Sequence, residues 1–204
     1  MPYHYPFEVL GFHSCDKEVG IAILNGELDL KPSNNSWDWL ADGIYFWEQN
    51  PFRALDYATK SAEGSQFNKK RITTPFVLGA ILELGNCLNL VAPEATSLLT
   101  ETYEELEKIY QAAGEVMPKN EGAKRELDCA IIKAVHQANI VKGKQAYDSV
   151  RCAFNEGVEA YPNSNFTTQL HIQISIRTPE LIKGYFLPRP SENYNPYLQR
   201  GFIK

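Results

Sequence analysis

Gly43-Ile44-Tyr45-Phe46-Trp47, followed two residues later by Asn50-Pro51-Phe52-Arg53-Ala54-Leu55-Asp56-Tyr57-Ala58, is the stretch on which the reading of the fold turns. Four consecutive bulky apolar or aromatic residues after a glycine predict a short β-strand. Asn50 can cap a helix, Pro51 suits its first turn, and Phe52, Leu55, Ala58 and Ala62 recur at helical spacing. Upstream, residues 8–13 read as a second strand, ending at His13. Ser14 or Asp16 can then cap a helix that carries Val19, Ile23 and Leu24 and stops at Gly26. Residues 31–42 read as a loop that holds two large aromatics, Trp37 and Trp39.

Downstream, Pro75 to Leu84 is the most apolar strand candidate. Helical patterns follow at 94–113, with Leu99, Tyr103, Leu106 and Tyr110 in one stripe, and at 121–138, with Leu127, Ile131, Ala134 and Ala138. The last third predicts strands at Val150 to Phe154, Gln169 to Arg177 and Gly184 to Leu187, then a polar, aromatic tail lying on the surface after Pro188. Strands at both ends with helices between them give an α+β class. The 204 residues, 44% hydrophobic, suffice for one core, so a single domain over 1–204 is expected, with a helical insertion at about 94–138.

Composition removes several function classes. No stretch approaches the ~20 apolar residues of a membrane span. The opening Met1 to Pro6 lacks the basic and apolar regions of a signal peptide, so a cytoplasmic protein without a membrane partner is expected. Cys15, Cys87, Cys129 and Cys152 are single and widely spaced, read as reduced thiols and not as metal ligands. Twenty basic against twenty-five acidic residues leave −5, which argues against a passive nucleic-acid coat protein; Lys69-Lys70-Arg71 is the one dense basic run and reads as a solvated loop. Phosphate loops, dinucleotide-binding glycine patterns, nucleophile elbows and zinc-protease motifs are missing from the sequence, so any site is assembled from scattered residues.

One ordered set of residues resembles a known family. His13 on a strand, a helix ending near Asn25-Gly26, Gly43-Ile44-Tyr45-Phe46, and a helix with Arg53, Ala54 and Tyr57-Ala58 are similar to the NAD-gripping half of ADP-ribosyltransferases. The likeness is to the polymerase-type, diphtheria-toxin-like branch with its His–Tyr–Glu triad, and it covers about 50 residues. It implies a split β-sheet with inserted helices, NAD as the substrate and no metal. It further implies that His13 bonds an adenosine ribose hydroxyl and that the Ser14 main chain clasps the nicotinamide carboxamide, with the Ser14 side chain turned away where the family has glycine. Tyr45 and Tyr57 would wall the nicotinamide slot, as flat faces suit a flat cation, and Arg53 would meet the pyrophosphate.

The third triad position departs from the family pattern. Period two on the late strand puts Leu170, Ile172, Ile174 and Ile176 toward the core and Gln169, His171, Gln173 and Ser175 on the other face, with no carboxylate among them. Either Gln173 or His171 bonds the ribose from the strand, or Glu156 enters from the preceding loop. A carboxylate is the better partner for developing positive charge. Relatives without the strand glutamate transfer single units, so the resemblance implies a mono-ADP-ribosyltransferase acting on a nucleic-acid or protein acceptor. Small enzymes of this kind resemble toxins of toxin–antitoxin or phage-defence systems, which would make an antitoxin a partner. Two other readings stand beside it: an NAD-dependent RNA 2′-phosphotransferase, and a catalytically inactive NAD or ADP-ribose binding module. The plain structural alternative makes His13, Tyr45 and Tyr57 packing residues and leaves Glu156 and Gln173 on turn and surface.

Overall fold

The computed structural model describes residues 8–64 and 72–198. It contains nine strands: β1 Glu8–Asp16, β2 Ile44–Glu48, β3 Pro75–Glu83, β4 Cys87–Asn89, β5 Asn120–Glu121, β6 Lys124–Arg125, β7 Ser149–Glu159, β8 Thr167–Ile176 and β9 Ile182–Phe186. The α-helices are α1 Lys17–Leu24, α2 Pro51–Glu63, α3 Pro93–Ala113, α4 Glu126–Val141 and the short α5 Ser191–Tyr194. Seven strands form one mixed sheet in the order β4-β7-β8-β2-β1-β3-β9, while β5 and β6 make a small separate hairpin. The α+β class stands.

Local chemistry explains the boundaries around the site. β1 runs past His13 to Asp16, which places His13 inside the strand rather than at its end, because Cys15 still pairs with Phe76 and buries in the core. Asp16, not Ser14, caps α1, accepting from the Glu18 N–H. Asn50 caps α2 by accepting from the Arg53 N–H, with Pro51 in the first turn as expected. Gly43 opens β2 at φ +147°, where an added Cβ would sit 2.1 Å from Ser175 Oγ.

The sheet is nearly split. β1 pairs with β3 through nine registered residues, Glu8↔Glu83 to Asp16↔Pro75. Against β2 it pairs only at Gly11↔Glu48 and Phe12↔Trp47. Beyond Phe12 the two strands part, dividing β4-β7-β8-β2 from β1-β3-β9.

One face of the sheet carries Phe12, Trp47 and Val77 against Ala54 of α2, and farther along Val150 and Leu88 against Cys129, Ile132 and Val135 of α4. The opposite face carries Phe46, Leu82, Ile174 and Ile176, and Cys15, Phe76 and Leu78 against Ile23 of α1. We call the first the α2/α4 face.

Several expectations need correction. Val19 on α1 is exposed, and Gly20 and Ile23 make the buried contacts. On α3 the buried positions are Ala95 and Thr102, with Tyr103 exposed; on α4 Ile131 is buried as expected, and Cys129, Ile132, Val135 and His136 are buried with it, while Leu127, Ala134 and Ala138 are only half-buried. The parallel strand β4 was not foreseen, its three residues being too few for a period. Glu156 lies inside β7, paired with Gln169, and not in a loop. On β8, Leu170 is 50% exposed while His171 and Ser175 are buried, because both faces of the strand are covered and its outer end has lost its neighbour β2. The tail is anchored: Asn195 is buried and its amide bonds both the N–H and C=O of Val77. Lys69-Lys70-Arg71 and Met1 to Pro6 lie outside the described residues.

Candidate functional site

Strand parity decides which backbone groups face the open seam. In β1 the odd residues bond toward β3, as in Lys17 N–H to the Thr74 carbonyl. The even residues bond toward β2, as in Gln49 N–H to the Leu10 carbonyl. Ser14 is therefore turned to β2 at a point where pairing has already stopped, so its N–H and C=O face the opening. Its hydroxyl is directed into α2 and donates to the Ala54 carbonyl.

His13 bridges the same opening. Its Nδ1 lies 2.8 Å from the Tyr45 carbonyl, which can only accept, so the proton is on Nδ1 and the neutral ring presents Nε2 as an acceptor. Burial pushes its pKa below 6.5, with the carbonyl contact pulling the other way. The ring packs against Phe46 at 5.7 Å, on the face opposite the Tyr45 side chain. His13 thus meets the Tyr45 backbone and not its ring. The Tyr45 hydroxyl is committed, accepting from Leu40 N–H at 2.9 Å and donating to the Ala41 carbonyl at 2.6 Å. That fixes the ring under the 31–42 loop, and burial keeps the phenol protonated against the opposing pull of the Leu40 N–H.

The other candidates share the α2/α4 face. Parity places Tyr45 and Trp47 of β2 beside Gln169, His171 and Gln173 of β8, and beside Cys152, Phe154 and Glu156 of β7. Arg53 reaches in from α2. Its Nη1 lies 3.0 Å from Asp56 Oδ2 and its Nη2 3.1 Å from Glu156 Oε2, and its guanidinium stands 5.8 Å over the Trp47 ring. Gln169 Nε2 reaches Asp56 at 3.4 Å. His171 sits between Phe154, with ring centroids 5.8 Å apart, and Glu156, whose Oε2 is 3.7 Å from Nε2. Tyr57 stacks at an angle on Trp47, at 5.2 Å. On the far side Trp39 packs on Phe154 at 4.9 Å and bonds the Ala123 carbonyl, so it forms a wall of the groove. A cavity of about 380 Å³, lined by Asn50, Phe52, Arg53, Asp56, Thr168, Gln169 and Leu170, opens beside Arg53.

The structure therefore brings together Arg53, Tyr57, Glu156 and His171, with Trp47 as the ring that joins them. Gln173 is on the same face but four residues, ~13 Å, along β8 from the partner of Glu156. It and Glu156 therefore cannot be alternatives for one position. Arg53 is already engaged with two carboxylates, so an anionic ligand would have to compete for it. Trp47, Asp56 and Phe154 were missed; period two from Tyr45 and from Glu156, and the i+3 spacing from Arg53, would have found them.

Polar satisfaction marks this region. Among the described residues, five buried side-chain nitrogens lack a hydrogen-bond partner: Trp47 Nε1, Arg53 Nε, His171 Nε2 and both ring nitrogens of His136. Three of the five lie beneath this groove, closed off from solvent. Native interiors pair nearly all such groups, since leaving one unpaired costs ~1–3 kcal/mol. Among the described residues no helix is long and apolar enough to cross a membrane. No protein family, no curated protein and no solved structure matches this chain.

Proposed function

We propose that this chain is a mono-ADP-ribosyltransferase that takes ADP-ribose from NAD and passes it to a macromolecular acceptor, a nucleic acid or a protein, in the cytoplasm. The observation that carries the reading is the open β1–β2 seam, which turns the Ser14 N–H and C=O toward a gap beside the Nε2 of a neutral His13. A primary amide has one acceptor and donor hydrogens, the complement of a lone main-chain N–H and C=O pair. His13 Nε2, as an acceptor, suits a ribose hydroxyl. The cavity beside Arg53 is lined by the polar side chains of Asn50, Arg53, Asp56 and Gln169, which suit a polar ligand better than an apolar one.

NAD, when bound, supplies the activated N-glycosidic bond; the chain supplies grip, orientation and charge. Tyr57, on the exposed side, offers a flat face for a cationic ring, with Trp47 buried behind it. Glu156 offers a carboxylate for positive charge developing at the ribose; register sets it six residues, ~20 Å, along β8 from the position opposite Ser14, so the reading requires NAD to lie along the groove from the seam toward β7. Arg53 would leave Glu156 for the pyrophosphate, exchanging one anionic partner for another. The resemblance to toxins makes an antitoxin the expected partner.

The test is nicotinamide release and NAD binding by the purified chain, with Glu156→Gln as the diagnostic variant. The expected result is retained NAD affinity with turnover reduced about 10²-fold or more, since removing one preorganised charge stabiliser costs about that much. A wild type that neither binds NAD nor releases nicotinamide overturns the reading. Binding without release supports the inactive-module reading, which the engagement of Glu156 by Arg53 favours.

A further inference from the structure

His171 is an odd residue to bury. Its side chain is fully enclosed on β8 and yet has one nitrogen with nothing to bond. Nδ1 lies 2.7 Å from the Gln169 carbonyl, which only accepts, so the ring proton is on Nδ1 and Nε2 carries the lone pair. That lone pair looks at Glu156 Oε2 from 3.7 Å, and two electron-rich atoms are then held face to face without a proton between them. One proton converts this into a charge-assisted contact that a small carboxyl rotation would close. Arg53 Nη2 grips the same oxygen at 3.1 Å. Both protein contacts therefore fall on Oε2, and Oε1 has no hydrogen-bond partner among the described residues.

We propose that His171 is a positioning residue for Glu156: when protonated at Nε2 it bridges to Oε2, and so it sets the pH below which the charge of the pair is cancelled and the carboxylate is drawn away from the ligand. The role rests on the reading of Glu156 as the working carboxylate. The proton comes from solvent and forms an N–H bond at Nε2, taking the pair from −1 to 0. The charged groups facing the ring are few. From α2 there is Arg53, with Asp56 behind it; from β7 there is Glu156. β8 contributes the neutral Gln169 and Gln173, and on the remaining side Phe154 and Trp39 separate the ring from Arg125. Burial and Arg53 favour the neutral ring, while Glu156 and the Gln169 carbonyl favour the charged one. Uptake therefore falls below the 6.5 of a free imidazole.

Nitrogen-15 NMR of histidine-labelled full chain tests this without any assay of turnover. The expected result is an Nδ1–H tautomer at pH 8 and a titration of His171 below pH 6.5. Glu156→Gln should move that titration down by about one pH unit or more, because the carboxylate that favours the charged ring is gone. A His171 that stays neutral throughout the folded range, or titrates identically in Glu156→Gln, overturns the proposal.

The pH profile of nicotinamide release gives the second arm. Its acid limb should coincide with the His171 titration and move to lower pH in His171→Phe. His171→Gln, whose amide cannot take up a proton, should shift the limb in the same way. An acid limb unchanged in His171→Phe also overturns the role. If the wild type releases no nicotinamide, the transferase reading fails while the nitrogen-15 titration still decides the pair.

Discussion

Two arginine–glutamate pairs tie β7 to its surroundings from opposite faces of the sheet, and they are built to different standards. Arg151 of β7 meets Glu48 of β2 in a two-pronged contact, Nε to Oε2 at 2.5 Å and Nη2 to Oε1 at 2.9 Å, with Nη1 on Asn89. Both side chains are about one-eighth exposed. Arg53 meets Glu156 through a single nitrogen, divides itself with Asp56 and leaves Nε unbonded, and Glu156 is 30% exposed. A closed fork with matched donors is what a structural pair needs. The second pair keeps one carboxylate oxygen and one guanidinium nitrogen uncommitted. The difference separates a bond that holds the sheet from one that can be exchanged for a ligand.

The comparison is best attacked by removing one carboxylate from each pair. Glu48→Ala takes the carboxylate away from a buried guanidinium and should cost about 3–5 kcal/mol in urea unfolding. Glu156→Gln should cost less than about 1 kcal/mol, because its pair is partly solvated and Asp56 still holds Arg53. Equal losses would make the two pairs the same kind of object and remove the argument for exchange.

The buried histidines sharpen the same contrast. His136 on α4 has neither ring nitrogen bonded, and burial, with Arg177 adding to it, pushes its pKa down to about 4. The unfolded chain binds this proton below about 6.5 and the folded chain only near 4. Stability is therefore complete above pH 6.5 and falls as the pH drops toward 4. Between pH 7 and 4.5 the loss from this residue should be on the order of 2 kcal/mol, and His136→Phe should flatten that part of the profile. An unchanged slope in the variant would mean that His136 is hydrated and not an isolated buried base.

The smallest effect is expected at Ser14. Ser14→Gly removes only the hydroxyl that bonds Ala54, so it should cost ~1 kcal/mol of stability and leave NAD affinity within about twofold, the backbone being unaltered. A large fall in affinity would show that the side chain, and not the main chain, faces the ligand.

Much of this architecture was legible in the sequence, and the failures have physical causes. β2 and α2 were readable because Asn50, Pro51 and the run 44–47 each carry a local preference that agrees with the tertiary outcome. The faces of α3, α4 and β8 were misread where tertiary cover overrode period: Tyr103 faces solvent although it fits a stripe, and His171 is buried although it is polar. Glu156 looked like a turn residue because Asn155 and Gly157 flank it. Gly157, at φ +86°, instead marks the irregularity that lets β7 continue to Glu159. The site as a set of neighbours was the least legible part, since Arg53 and Glu156 are 103 residues apart and meet only because β8 pairs with β7 on one side and with β2, which leads into α2, on the other.

The bond between Asn195 and Val77 has a consequence beyond fixing the tail. β9 stops pairing with β3 at Gly79, so Val77 would present an unpaired N–H and C=O on the outer edge of the sheet, next to the strongly apolar run Phe76–Leu78. The Asn195 amide, with the same donor and acceptor as a peptide group, takes that place. One side chain thus impersonates the strand that is missing, and a second copy of the chain finds no free template there for intermolecular β-pairing and fibre growth.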